Sequence, residues 1–285
     1  MITASDITGG AMKIAAGQMI VGFDKEENLS KIAGMSALAA SGGARLIAFP
    51  EACMFNYGTA RDQLVPHAES LDGTFVTGLS TVAAAKKIFV VAGMFEKIPG
   101  ENRVFNTVVV IDDTGNLVGA YRKIHLYDAF GWKESERIKP GDGTTLSFQC
   151  DDTTFGVMTC YDLRFPELAR HLAHNGAQAL LLPAAWIAGP LKETHLETLV
   201  RARAIENSVY VLTSTQVGTV YCAYSMLADP MGVVAAAQGE EEGLLEAEIY
   251  LERVESVRAK SPTLANCRPD VYQSWNLVPY ASPKR

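Results

Sequence analysis

Apolar residues fall along this chain in two alternating rhythms. Short unbroken runs such as KIAAGQMIV (13–21), RLIAFPE (45–51) and IFVVAGMFEK (88–97) read as buried strands. Between them, spacing of three and four predicts helices. Residues 25–41 place Leu29, Ile32, Ala33 and Leu38 on one face and stop at Gly42 and Gly43. A second helix is predicted over about residues 74–87. Residues 103–123 read as a hairpin turning at Asp-Thr-Gly-Asn.

The second half repeats this order without repeating the sequence. TTFGVMTC (153–160), QALLLPAAW (178–186) and VYVLTSTQV (209–217) are strands. FPELARHLAHNG (165–176) is a helix with Pro166 in its first turn and Gly176 at its stop. Residues 193–206 form another, with Leu196, Leu199, Val200 and Ala204 along one side. A hairpin at Asp229-Pro230-Met231-Gly232, the strand GLLEAEIYL (243–251) and a short helix bearing Val254 and Val257 complete the series. The pattern predicts two facing sheets with helices outside, an α/β sandwich within one domain. The expected division is a leader arm over 1–11, a domain over 12–270 and a tail over 271–285. Met12 is an alternative start.

The 285 residues are 48% hydrophobic and 20% charged, in the range of globular proteins that bury a sizeable core. A net charge of −7 without any basic block argues against nucleic acid or an anionic membrane as partner. The first residues lack the charged start and apolar centre of a signal peptide, and no run approaches the ~20 apolar residues of a membrane span. The expectation is a cytoplasmic protein. Five scattered cysteines without a CxxC pair suggest no disulfide framework. His171 and His174 share a helix face, but no further ligand type stands at matching spacing, so no metal site is predicted.

Cys160 ends an apolar run immediately before a helix start. It is either a small buried residue at a sheet end or a nucleophile. A thiol at a helix N-terminus should feel a pKa-lowering dipole and sit beside free backbone N–H groups able to hold an oxyanion. His171 and His174 lie two turns and more along the following helix, so carboxylates are the better candidates for its base. Glu51 closes the run LIAFPE behind a rigid proline. It either caps a loop or, if buried, shuttles a proton. Lys123 ends a strand and is either a surface charge or an oxyanion partner. Glu134 lies in a loop dense with charge, beside a Glu136 read as solvated. Tyr57 and Trp186 follow strands that end at the same edge and are assigned to the pocket wall.

Three blocks together carry more than each alone: FPE at 49–51, YRKIHLYD at 121–128 and CYDLRFPELAR at 160–170. In these, and in LPAAW, RARAIEN and RPDVY, the chain resembles the nitrilase superfamily of carbon–nitrogen hydrolases over nearly its whole length. The resemblance implies a four-layer α-β-β-α sandwich that needs no metal or cofactor and assembles as a homodimer or higher homo-oligomer. It implies that Glu51, Lys123 and Cys160 are a catalytic triad, with Glu134 a second catalytic-site glutamate positioning Lys123 or the substrate. The backbone N–H of Tyr161 would join Lys123 in holding the oxyanion. Tyr161-Asp162 after the cysteine is similar to the amidase branches, which act on a small amide substrate, rather than to the Trp-Glu of nitrilases. The alternatives are a nitrilase or a non-catalytic binding protein that keeps the fold. Those amidase branches act on small carboxylate-bearing amides, which would want an Arg or Lys near the pocket; Arg164 is the nearest candidate in sequence, but a bracing role is preferred for it. Tyr224 stands where amidase branches often carry His, and the segment at 190–195 looks longer than in many relatives, with Leu196 in place of a Trp.

Overall fold

A computed structural model describes residues 10–56 and 64–275. Two sheets stack face to face. The first holds β1 (Met12–Ile20), β2 (Leu46–Ala48), β3 (Phe89–Lys97), β4 (Val104–Ile111), β5 (Leu117–Arg122) and β12 (Gly243–Ile249). The second holds β6 (Ser147–Cys150), β7 (Thr153–Val157), β8 (Ala179–Ala184), β9 (Tyr210–Val217), β10 (Met226–Ala228) and β11 (Val234–Ala237). They join where the end of β1 pairs in parallel with β9, Met19 opposite Gln216 and Ile20 opposite Val217.

Helices α1 (Lys25–Ser41) and α3 (Thr74–Lys86) cover the first sheet, burying Ile32, Ala39, Phe75 and Leu79 against Ile47 and Val90. Helices α4 (Pro166–His174) and α5 (Lys192–Asn207) cover the second through Leu168, Leu172, Leu196 and Val200. Inward-facing residues of both sheets, among them Ile14, Leu46, Val91, Val108, Phe155 and Leu181, form one apolar layer. The four-layer α-β-β-α sandwich is thus present. Local chemistry explains the element ends. Asp24 accepts the Glu27 N–H at 2.9 Å and caps α1. In the β4–β5 turn, Asp112 accepts from the backbone of Thr114 and Asn116, each at 2.9 Å.

The short elements that were not expected include α2 (Leu64–His67), β6, which pairs antiparallel with β7, and a turn of helix over Pro269–Tyr272 where the tail was expected to begin. The strand expected through Cys160 stops at Val157, and Met158 continues it only by donating to the Leu181 carbonyl. Strand β2 runs parallel to β1 and β3, β7 to β8 and β8 to β9, and β1 runs parallel to β9, so the carboxyl ends of β2, β7 and β8 share an edge. Glu51, Cys160 and Ala185 follow those ends directly. Strand β5 reaches the same edge, where Lys123 N–H bonds to the Asn106 carbonyl at 2.8 Å.

Candidate active site

Glu51 sits in a turn clamped onto β3. Gly93 N–H donates to the Pro50 carbonyl, and the Gly93 carbonyl accepts from Met54 N–H. The turn needs a left-handed residue at Ala52, φ 54°. A Cβ at Gly93 would lie 2.5 Å from Ala52 N and 2.7 Å from Pro50 O, so only glycine lets the turn approach. Gln216 of β9 fixes the Glu51 carbonyl at 2.7 Å.

The Glu51 side chain is wholly buried. Its Oε1 accepts from Lys123 Nζ at 2.8 Å and Asn106 Nδ2 at 2.7 Å, and its Oε2 from Ala185 N–H at 2.8 Å. Burial alone would push this carboxyl up. The Lys123 charge and hydrogen bond, with those from Cys160 and Ala185, outweigh it and hold the group below the ordinary carboxylate value. Lys123 is equally buried and bridges Glu51 to both oxygens of Glu134, at 2.9 and 3.1 Å. Glu134 is not a loop-surface charge. A short 3-10 helix, Glu134–Glu136, turns it inward, where it also accepts from Tyr127 N–H and from Asn106 Nδ2, while Glu136 stays exposed.

Cys160 opens a second short 3-10 helix, Cys160–Arg164, in the left-handed region at φ 43°. The buried thiol and the Glu51 carboxylate interact directly. The sequence predicts a lowered thiol pKa, and the structure reverses this. Five residues of 3-10 helix offer little dipole. Burial, reinforced by the Glu51 charge and only opposed by Lys123, pushes the thiol well above its usual value. The resting pair is a neutral thiol facing an ionised carboxylate.

Beside the thiol lies a narrow pocket lined by Lys123, Tyr127, Tyr161, Trp186 and two cations, Arg164 and Lys192. Trp186 is thus in the pocket wall and Tyr161, expected to bind substrate beside Cys160, lines it too, while Tyr57 lies outside the described residues. Arg164, for which a bracing role is preferred from the sequence, also lines the pocket. Its guanidinium lies 5.0 Å from the Trp186 ring centroid, with Nε and Nη2 buried and lacking hydrogen-bond partners among the described residues. Lys192 begins α5, after Leu191 at φ 62°, and reaches the Tyr127 hydroxyl at 2.9 Å. Burial, then the charge of Arg164, lowers its pKa. Sequence reasoning missed Lys192 and Asn106. Asn106 could have been noticed as an amide interrupting the apolar run VFNTVVVI; Lys192 carries no comparable signal. Tyr224 does not line this pocket, and its hydroxyl donates to Glu197 at 3.1 Å.

A sequence model of the carbon-nitrogen hydrolase family matches residues 13–259. A deaminated glutathione amidase of Escherichia coli is 38% identical over 258 residues, spanning 90% of this chain and 97% of that protein. An omega-amidase of Mus musculus is 34% identical over 277 residues, spanning 91% and 96%. Among solved structures, a Saccharomyces cerevisiae member of branch 10 of the nitrilase superfamily superposes with a TM-score of 0.80 at 30% identity, covering 91% of this chain and 97% of its own.

Proposed function

The chain belongs to the carbon-nitrogen hydrolase family and is an amide hydrolase, and on that premise we propose that it cleaves small linear amides to a carboxylic acid and ammonia through a thioester on Cys160. The observation that carries this reading is the buried Glu51–Lys123–Glu134 cluster set against the thiol at the pocket floor. In this reading Glu51 takes the Cys160 proton as sulfur attacks the amide carbon, so the poorly stabilised thiolate never has to accumulate. Lys123, with the Tyr161 N–H, offsets charge on the carbonyl oxygen. Glu51 then gives its proton to the departing ammonia. It next takes a proton from the water that attacks the thioester, releasing the acid and restoring the thiol. Glu134 holds the Lys123 ammonium in place.

The pocket favours an amide whose far end is anionic. Arg164 and Lys192 bring two positive charges to its lining, and a carboxylate would satisfy the unpartnered guanidinium nitrogens. Relatives named omega-amidase and deaminated glutathione amidase agree with this. A panel of linear amides with and without a terminal carboxylate, read by ammonia release and by intact mass of the enzyme, tests the proposal. Carboxylate-bearing amides should turn over fastest and leave an acyl group on Cys160 that the Cys160→Ala protein never acquires. Turnover by Cys160→Ala at the wild-type rate would overturn it.

The reading includes a homodimer or higher homo-oligomer in the cytoplasm. Exposed Ile205, Met231 and Val233 support the first, Ile205 packing over Gly232 to join the patch. The free thiols of all five cysteines support a reducing compartment. Among the described residues no helix is long and apolar enough to cross a membrane.

A further inference from the structure

Behind the nucleophile, away from the pocket lining, lies a further buried carboxylate. Asp162 is completely buried and bonds to four donors. Its Oδ2 accepts from the Tyr121 hydroxyl at 2.7 Å and Thr159 N–H at 2.9 Å. Its Oδ1 accepts from His125 N–H at 3.2 Å and His125 Nδ1 at 2.7 Å. His125 is itself held flat against Phe165, with ring centroids 3.7 Å apart.

The placement of these donors is informative. Tyr121 and His125 flank Lys123, while Thr159 and Asp162 flank Cys160. One carboxylate therefore ties the two backbone segments that present the ammonium and the thiol, which come from different sheets. The Cys160 backbone is left-handed, a conformation that persists only where its surroundings over-determine it. Thr159 N–H, just before the strained residue, is one of the groups Asp162 holds.

We propose that Asp162, clamped by His125, is a positioning residue that fixes the distance between Cys160 and Lys123. The inference rests on the assignment of those two residues as nucleophile and oxyanion partner. A carboxylate is needed because all four partners donate. The amide of asparagine has the same shape but must turn its NH₂ toward two of those donors. The thiol would then shift relative to Glu51 and Lys123, and a displacement on the order of 1 Å can lower turnover about a hundredfold.

The test compares Asp162→Asn, His125→Phe and His125→Asn with the wild type in kcat, KM, thermal midpoint and the rate of Cys160 alkylation by iodoacetamide. Asp162→Asn should lower kcat about a hundredfold with KM within about threefold, and alkylation should slow in parallel. His125→Phe keeps the stacking and loses the ring donor, so kcat should fall about tenfold. His125→Asn places an amide N–H near the Nδ1 position and should recover kcat to within about threefold of wild type. A folded Asp162→Asn enzyme with wild-type kcat and only a lower thermal midpoint would overturn the proposal. Equal kcat in His125→Phe and His125→Asn would also do so, and that pair decides if Asp162→Asn does not fold. Full activity in Cys160→Ala would instead defeat the underlying assignment, whatever the Asp162 and His125 variants show.

Discussion

At the scale of single residues, chemistry and stability meet in the Lys123 ammonium. Replacing Lys123 with Ala leaves Glu51 and Glu134 buried together without their shared cation, so it should abolish turnover and cost about 3–5 kcal/mol, measured by urea unfolding. Glu51 also gives the enzyme a pH signature. Its folded pKa is depressed, so the stability it contributes is complete above the unfolded value of about 4.3 and is lost as pH falls through the lower folded value. The acidic limb of kcat/KM should accordingly lie below the ordinary carboxylate range. On the alkaline side, the raised Cys160 pKa predicts no growth of Cys160 thiolate ultraviolet absorbance between about pH 6 and pH 9, where a free thiol would titrate. Glu51, Lys123 and Cys160 were legible because each sits in a block of ordered neighbours. The thiol's protonation state was not, since local sequence suggests a dipole but not the desolvation that outweighs it. Lys192 was equally opaque: a lysine opening a helix looks solvated until its partners across the pocket are known.

At the scale of elements, most strands and helices could be read because apolar period and terminal signals agree. Gly42 after α1 and Pro166 at the start of α4 mark those helix ends within a residue or so. Strand β6 escaped because Ser147–Cys150 is too short and mixed to show a period, and pairing with β7 alone defines it. The 3-10 helix Cys160–Arg164 was not read, because the apolar run carries a strand through Cys160 and the next helix signal is Pro166. The close contact of β3 with the Glu51 turn yields a prediction that the apolar pattern alone does not suggest. Gly93→Ala introduces a single methyl group, yet it collides with backbone on the catalytic turn rather than with a yielding side chain. It should lower stability by about 1–3 kcal/mol and reduce kcat more than tenfold, while Gly239→Ala, in open space and without a left-handed backbone, serves as a control for the assay.

At the scale of the molecule, two sheets with outer helices followed from the rhythm of the sequence, but which edges joined did not. The parallel pairing of β1 with β9 links residues nearly two hundred positions apart, and no local pattern encodes that partner choice. The consequence reaches beyond architecture. Glu51, Lys123 and Asn106 belong to the first sheet, while Cys160 and Ala185 belong to the second. The reacting pair exists only while both sheets remain docked. Catalysis then serves as a reporter of global cooperativity: loss of turnover and loss of near-ultraviolet ellipticity should share one urea midpoint, and any partly unfolded state that frees either sheet should be inactive even if it keeps its secondary structure.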